Sequence, residues 1–217
     1  MSGIAGVYVC DGSTADLGIL RTMTDAMAYR GPDGISHWAG GSIAMGHCML
    51  RTTSEAACEC LPYRDEKSGA VITFAGRLDQ REELIALLAA KGVLPATTFD
   101  SALVLAAYLA FGVECFNAIN GDFAIAVWDN AQRQLVLARD RIGLVPLHYY
   151  YADGTVAFAS DAHALLRLEF VPKRLNEGVV AEILSDRWQL RGDTLWDGIS
   201  ALRPGTYMLA SQTRKTT

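Results

Sequence analysis

Residues 120–166 read NGDFAIAVWDNAQRQLVLARDRIGLVPLHYYYADGTVAFASDAHALL, and this stretch decides the fold. Phe123, Ile125 and Val127 alternate with small alanines, a period of two that is typical of a half-buried strand. An Asp-Asn turn signal separates them from Gln134–Arg139, whose alternating apolar residues predict the return strand of a hairpin.

A second hairpin is predicted directly after the first. The aromatic run His148–Tyr151 is followed by the turn signal Asp153-Gly154 and by a further strand, Thr155–Ala159. Residues 160–166 then predict a short helix. Closely spaced strands flanked by amphipathic helices are typical of an α+β domain that is built in layers.

Further elements are predicted on both sides of the hairpins. The strands fall at residues 2–9, 42–47 and 71–74, and the helices at residues 15–28, 80–91, 100–111 and 177–185. Asp79 with Glu82 is expected to form a capping box for the second of these helices. Asp100 stands at the start of the third, where an aspartate is most often an N-cap.

The composition is that of a soluble globular protein, since 51% of the 217 residues are hydrophobic and 20% are charged. This length favours a single domain over residues 1–210, followed by a tail or linker over residues 211–217. The formal net charge of −5 provides no basic field for nucleic acid or an anionic membrane. Because the sequence shows neither a long apolar span nor a signal peptide, we expect a cytoplasmic location.

The five cysteines are odd in number and irregularly spaced, which favours reduced thiols over a disulfide framework. His47, Cys48, Cys58 and Cys60 are near neighbours in sequence and form the nearest approach to a zinc motif. The Cys-x-Cys spacing and the missing second pair argue against it, so no metal site is expected.

A set of ordered segments carries a family resemblance. They are Gly121-Asp122-Phe123-Ala124, Trp128-Asp129, Ala138-Arg139-Asp140, Gly143, Pro146-Leu147, Tyr149-Tyr150 and Phe158-Ala159-Ser160. Together they resemble the class II glutamine amidotransferase domain of asparagine synthetases, and similar segments extend from Gly3 to about Leu209. The resemblance implies the fold of the N-terminal nucleophile hydrolases, a four-layer α/β/β/α sandwich of two antiparallel sheets.

The resemblance also implies where catalysis takes place. In that family the first strand begins with a cysteine that is exposed by removal of the initiator methionine. Its thiol is the nucleophile, and its own α-amine, with a pKa near 7.7–8.0, is the base. In this chain the nucleophile position holds Ser2.

Other family positions bind glutamine or the tetrahedral intermediate, and two of them are altered. The arginine that grips the glutamine carboxylate is replaced by Met49, and the asparagine of the oxyanion hole is replaced by Ala75. Gly76 supplies the remaining oxyanion N–H, Asp100 aligns with the aspartate that holds the α-amine, and Arg51 is a partial substitute for the lost arginine. Since methionine offers no donor and an oxyanion donor contributes about 2.7–4 kcal/mol, the resemblance implies a degenerate glutamine site.

The altered positions favour a ligase that needs no ammonia. The segment Ala75–Leu84 resembles lasso-peptide macrocyclases, and the pattern also fits β-lactam synthetases, which use an amine already present in the substrate. In a macrocyclase a C-terminal domain adenylates a carboxylate of a precursor peptide, and the peptide's N-terminal amine closes an isopeptide ring. Because this chain has no Ser-Gly-Gly-x-Asp loop, ATP and Mg are expected only in a synthetase domain, in cis or in trans.

Two alternatives stay open at this point. The first is an active glutamine amidohydrolase domain that uses Ser2 as nucleophile and Arg51 as carboxylate clamp. The second is a non-catalytic scaffold or peptide-binding module. Glutamate release from glutamine distinguishes the first alternative from the others, and stable association with a synthetase domain or a peptide supports the second.

Overall fold

Two antiparallel sheets lie at the centre of the computed structural model, which describes residues 1–53, 56, 58–95, 97–187 and 192–212 and the backbone of 215–216. Sheet A contains, in spatial order, β10 (Ile199–Ala201), β8 (His148–Ala152), β9 (Thr155–Ala159), β1 (Gly3–Val9), β3 (Ile43–Cys48) and β2 (Ile35–Gly40). Sheet B contains β12 (Lys215–Thr216), β11 (Tyr207–Ser211), β7 (Gln134–Arg139), β6 (Asn120–Asp129), β5 (Val71–Asp79) and β4 (Tyr63–Arg64). The helices are α1 (Leu17–Ala26), α2 (Arg81–Ala90), α3 (Asp100–Phe111), α4 (Ala162–Leu165) and α5 (Glu177–Leu184).

Three apolar clusters establish the order of the layers. The inner faces of the two sheets enclose the first cluster, in which Trp128 of β6 and Phe158 of β9 are fully buried. In the second, Leu103 of α3 and residues of α2 cover the outer face of sheet B. In the third, Leu20 of α1 and residues of α4 cover the outer face of sheet A. The predicted α/β/β/α sandwich is therefore confirmed.

Both predicted hairpins are present, but they lie in different sheets. β6 and β7 pair in sheet B with Val127 opposite Val136, whereas β8 and β9 pair in sheet A with Tyr150 opposite Ala157. Residues 140–147 carry the chain from one sheet to the other. Neighbouring hairpins in the sequence are therefore stacked face to face and do not form one continuous meander.

The buried carboxylate of Asp140 organises this passage. Its Oδ1 accepts hydrogen bonds from the backbone N–H groups of Ile142 (3.0 Å), Gly143 (2.6 Å) and Leu144 (3.1 Å). Its Oδ2 accepts another from Val145 (3.1 Å), and the residue is only 1% exposed. Burial alone would raise the pKa of Asp140, but the four N–H groups outweigh it and the pKa is lowered.

Arg139 supports the same passage from the preceding position. Its guanidinium donates to three carbonyl oxygens, those of Val145 (2.9 Å), Leu202 (2.7 Å) and Gly143 (2.6 Å). Gly143 itself has a φ of +76°, and a Cβ there would lie 2.7 Å from Cγ of Pro204. Only glycine fits this backbone conformation and this close contact.

The structure corrects two details of the predicted helices and strands. Asp79 does not cap α2, because it is the last residue of β5 and pairs with Asn120 of β6. Gln80, with a φ of 55°, precedes the helix and makes no side-chain cap. The edge strand β2 was not predicted. The predicted helix α5 is present, and the Asn176 side chain caps it by accepting a hydrogen bond from the Val179 N–H (3.3 Å).

The helix α3 and the turn that follows it form an apolar stretch, Asp100–Asn117, which has the length and composition of a membrane span. Half of that stretch is buried inside the protein. Every residue from Ser101 to Tyr108 is buried, and the Tyr108 hydroxyl donates to Oδ2 of Asp129 (3.0 Å) in sheet B. The stretch is therefore the core helix of this layer.

Three cysteines are buried and two are exposed, and none of the five forms a disulfide. The part of the chain that the structure describes contains no cluster of metal-ligating side chains. Burial raises the pKa of Cys115 to about 12 and that of Cys48 to about 11, so both thiols are protonated at neutral pH.

We predict that Asp140→Asn destabilises the protein by at least about 2 kcal/mol, because an amide replaces a charged acceptor of buried N–H groups with a poorer one. The free energy of unfolding, measured in urea, checks this. Asp153→Asn is the matched control, since Asp153 is exposed in a turn with a φ of 47° that asparagine also tolerates. Equal loss of stability in the two variants would contradict the role assigned to Asp140.

Candidate functional site

A cavity of about 270 Å³ lies where β1 begins, β3 ends, β5 approaches β6 and α3 begins. Ser2, Met49, Gly76 and Asp100 all line it, so the structure brings together four of the residues that the sequence singled out. Arg51 is not among the lining residues.

Ser2 lies at the start of β1, whose pairing with β3 sets Gly3 opposite Cys48. The Ser2 hydroxyl accepts a hydrogen bond from the backbone N–H of Leu50 (3.0 Å) and donates one to the Leu50 carbonyl oxygen (3.4 Å). The hydroxyl is therefore tied to the backbone that follows β3.

Met49 forms part of the cavity wall and is only 8% exposed. Its backbone N–H donates to the carbonyl oxygen of Gly34 (2.8 Å), and its carbonyl oxygen accepts from the N–H of Asp33 (3.1 Å). The turn Arg30–Gly34 thus supports this wall. Arg51 is exposed, and its backbone N–H donates to Oδ2 of Asp33 (2.7 Å). The cation that would replace the family arginine lies outside the cavity.

Gly76 allows an unusually close approach of β5 and β6. It has a φ of +141°, and a Cβ at this position would lie 2.0 Å from the carbonyl oxygen of Asp122. Gly121 of β6 has the same constraint, since its Cβ would lie 2.2 Å from the Arg77 carbonyl oxygen. Ala75, by contrast, faces the core between the two sheets with no exposed surface. Gly76 and Arg77 of this segment line the cavity together with Ser2.

Asp100 connects three elements and is not the N-cap of α3. The N-cap position belongs to Phe99, whose side chain makes no cap. Oδ2 of Asp100 accepts from the backbone N–H of Leu78 in β5 (2.8 Å), and Oδ1 lies 3.3 Å from Nε of Arg81 in α2. The N-cap expectation is therefore wrong, because the partner of the carboxylate is distant in sequence.

His47 belongs to the cavity although the sequence suggested only a weak zinc motif for it. The residue is 1% exposed, and its Nδ1 lies 3.2 Å from Oγ1 of Thr73. Its Nε2 has no hydrogen-bond partner among the described residues. Burial lowers the pKa of His47 to about 4, so the ring is neutral at physiological pH. His47 stands two residues before Met49 in a segment that resembles the family, and that placement is the local signal for it.

Glu59 also lines the cavity and was not predicted. Its carboxylate accepts hydrogen bonds from the backbone N–H of Ser101 (3.3 Å) and from the Ser101 hydroxyl. Ser101 belongs to the first turn of α3, where N–H groups lack intrahelical partners. A carboxylate of this chain thus occupies the N-terminus of the helix at the cavity.

Comparison with known proteins identifies a protein family that matches the whole chain. The family profile described as "Glutamine amidotransferase domain" matches residues 1–217. The amidase chry2 of Gibberella zeae is 28% identical over 192 residues, and the asparagine synthetase [glutamine-hydrolyzing] 3 of Bacillus subtilis is 29% identical over 184. These matches cover 88% and 84% of this chain but 28% and 30% of the two relatives, so the chain spans less than a third of their length.

A solved structure agrees with the architecture. The glutamine phosphoribosylpyrophosphate amidotransferase from B. subtilis superposes with a TM-score of 0.67 at 16% identity, over 99% of this chain and 48% of that one. At this low identity the likeness concerns the fold alone.

We predict that the free energy of unfolding decreases as the pH is lowered, because the buried ring of His47 is neutral in the folded protein. The pKa of its ring is about 4 in the folded state, below the usual 6.5, so the unfolded chain binds the proton first. The contribution of neutral His47 is therefore complete above about pH 6.5, is lost as the pH falls to about 4, and is at most about 3 kcal/mol. Burial also lowers the pKa of His37 and His148, so His47→Asn should reduce the pH slope without abolishing it.

Urea unfolding between pH 7.5 and 4.5 measures this slope. The matched control is His163→Asn, because His163 is exposed. Identical slopes in the wild type and both variants would show that His47 does not carry the effect.

Proposed function

Because the chain belongs to the class II glutamine amidotransferase domain family, we propose that it serves an asparagine-synthetase-like, ATP-dependent amide ligase without hydrolysing glutamine. Asparagine synthetases and amidases are among its relatives. The observation that carries this proposal is the cavity itself, in which Ser2 and Met49 stand where the family has a cysteine and an arginine, while Asp100 is kept. Three steps of glutamine hydrolysis are affected.

Carboxylate binding is the first step. A buried methionine wall gives the glutamine carboxylate no donor, and arginine is favoured for this task because its planar fork holds both oxygens. Arg51 does not line the cavity, and Arg77, which does, lies 3.4 Å from Asp122 and 3.6 Å from Asp79. The ordinary clamp therefore has no equivalent among these arginines.

Stabilisation of the oxyanion is the second step. Ala75 contributes no side-chain donor and is buried in the core, so the backbone at Gly76 supplies the donor on this side. Loss of one oxyanion donor typically lowers kcat by about 10²–10³.

Nucleophilic attack is the third step. A hydroxyl is a weaker nucleophile than a thiol, and that of Ser2 is held by the backbone of Leu50.

We assign the ligase to the lasso-peptide macrocyclase type. Support comes from the segment Ala75–Leu84, in which Arg81 and Leu78 hold the carboxylate of Asp100. These contacts connect α3 with β5 and α2, and they do not depend on an ammonia-producing reaction. ATP, Mg and the activated carboxylate of a precursor peptide belong to a synthetase domain, in cis or in trans. The amidotransferase-like domain of this chain packs against that synthetase domain.

We predict that the protein releases no glutamate from glutamine above the level of Ser2→Ala. The assay uses protein in which removal of Met1 is verified by mass, with Ser13→Ala as the control for an exposed serine. Ser2→Cys alone should remain inactive, because the carboxylate clamp and one oxyanion donor are still absent. The double variant Ser2→Cys, Met49→Arg should gain activity by at least about tenfold over Ser2→Cys, because arginine restores a carboxylate donor in the cavity wall.

Wild-type activity that disappears in Ser2→Ala would overturn this proposal and identify a serine-dependent amidohydrolase. Activity of Ser2→Cys equal to that of the double variant would show that Met49 does not limit hydrolysis.

A further inference from the structure

We propose that Cys58 and Cys60 form a reversible disulfide bond that draws the carboxylate of Glu59 away from Ser101 and thereby changes one wall of the cavity. The pair is a modification site for small disulfides. It needs neither glutamine hydrolysis nor a synthetase domain, so this inference does not rest on the proposed function. Both cysteines are free thiols in the structure.

These two cysteines are the accessible ones among the five. Cys58 and Cys60 are exposed, whereas Cys10, Cys48 and Cys115 are buried. Burial also raises the pKa of Cys48 and Cys115, which keeps their thiols protonated, and the thiolate is the form that attacks a disulfide. Oxidation by a dissolved disulfide is therefore directed to Cys58 and Cys60.

The residue between the two cysteines faces inwards. Glu59 lines the cavity, and its Oε1 accepts hydrogen bonds from the backbone N–H of Ser101 (3.3 Å) and from the Ser101 hydroxyl. Ser101 has no exposed surface. Two solvent-exposed thiols thus flank one side chain that is held in the cavity wall.

A bond between the two thiols acts directly on the backbone of Glu59. A disulfide holds its Cβ atoms about 3.8 Å apart, whereas side chains two positions apart in an extended chain are separated by about 6.6 Å. The small ring that a Cys-x-Cys disulfide closes contains the Glu59 backbone, which is forced into a tight turn when the bond forms. The turn changes the direction in which the Glu59 side chain points.

The residue after the pair is anchored, so the movement falls on Glu59. Leu61 is 5% exposed, and its carbonyl oxygen accepts a hydrogen bond from the Ser36 hydroxyl in β2. A tighter turn at residues 58–60 therefore withdraws Glu59 from Ser101 while Leu61 stays in place. The same segment forms one wall of the cavity, to which it contributes Thr52, Thr53, Ala56, Glu59 and Leu61.

The reaction needs a small disulfide as the oxidant, and glutathione disulfide is the probe. The thiolate of one cysteine attacks a sulfur of the probe, which forms a mixed disulfide and releases one glutathione thiolate. The thiolate of the other cysteine then attacks the protein-bound sulfur, which closes the bond between Cys58 and Cys60 and releases the second glutathione. The two protons of the protein thiols pass to the two glutathione thiolates, and the disulfide of the probe accepts two electrons.

The contact with Ser101 opposes oxidation and so makes the bond easy to reduce. Closing the disulfide leaves the buried N–H and hydroxyl of Ser101 without the Glu59 carboxylate, and unsatisfied buried donors are unfavourable. Exposed and strained disulfides have the higher reduction potentials of labile, regulatory bonds. By linkage, the disulfide and the Glu59 contact weaken each other by the same factor.

The test equilibrates the intact protein with glutathione redox buffers, alkylates the remaining thiols with iodoacetamide and maps the peptides by mass spectrometry. We expect a disulfide between Cys58 and Cys60 that dithiothreitol reverses, while the three buried cysteines are alkylated only after unfolding. The backbone amide signal of Ser101, followed by NMR, should move on oxidation and return on reduction.

Glu59→Ala should favour the disulfide, because the opposing contact is gone. We expect half-oxidation at a ratio [GSH]²/[GSSG] at least about tenfold higher than in the wild type. Glu59→Gln keeps the side-chain size, should Glu59→Ala not fold, and should shift the ratio less in the same direction. Glu66→Ala removes an exposed acidic residue nearby and should match the wild type. Cys58→Ser should form only a mixed disulfide of Cys60 with glutathione.

Mixed disulfides at both cysteines without a bond between them would overturn the proposal, and so would a disulfide that joins two protein molecules. An intramolecular bond that leaves the Ser101 signal in place would also overturn it, as would equal half-oxidation ratios in the wild type and Glu59→Ala. None of these readouts involves glutamate release, so the outcome is independent of the proposed function.

Discussion

The chain passes from sheet B to sheet A through residues 140–147, and the four hydrogen bonds to the Asp140 carboxylate hold that passage. Both walls of the cavity depend on it. On one side β6 and β7 lead into it, and β6 brings the backbone of Asp122 against Gly76. On the other side β9 pairs with β1, and the Ser160 hydroxyl accepts from the Ile4 N–H (2.9 Å) next to Ser2. One buried charge therefore holds the connection between the two sheets whose strands carry Ser2 and Gly76.

Local patterns in the sequence predicted the elements well but not their distant partners. The hairpins followed from alternation of apolar residues, which depends on neighbours within a few positions. Membership of β6/β7 and β8/β9 in different sheets depends on the passage between them, and no periodicity encodes it. Asp79 and Asp100 were both expected to cap helices, whereas one pairs with Asn120 in a ladder and the other accepts from Leu78. Tertiary contacts overrode helix-start signals in both places.

At the candidate site, too, the sequence revealed local features but not contacts between distant parts of the chain. Ser2, Met49, Gly76 and Asp100 were identified by resemblance, and the structure places them around one cavity. Glu59 was missed, because a carboxylate 42 residues from its helix leaves no local signature, and His47 was considered only as a zinc ligand. The close approach of β5 and β6 needs glycine at Gly76 and Gly121, and the passage between the sheets needs the buried charge of Asp140, so these features belong to the fold itself.

Calorimetric titration of glutamine into the wild-type protein and into Met49→Arg tests the central claim, that the cavity persists without glutamine recognition. The account predicts no saturable heat for the wild type and measurable binding for Met49→Arg, since arginine restores the carboxylate donor. Saturable glutamine binding by the wild type that is lost in Asp100→Asn would contradict it, because the protein would then recognise glutamine without the family arginine.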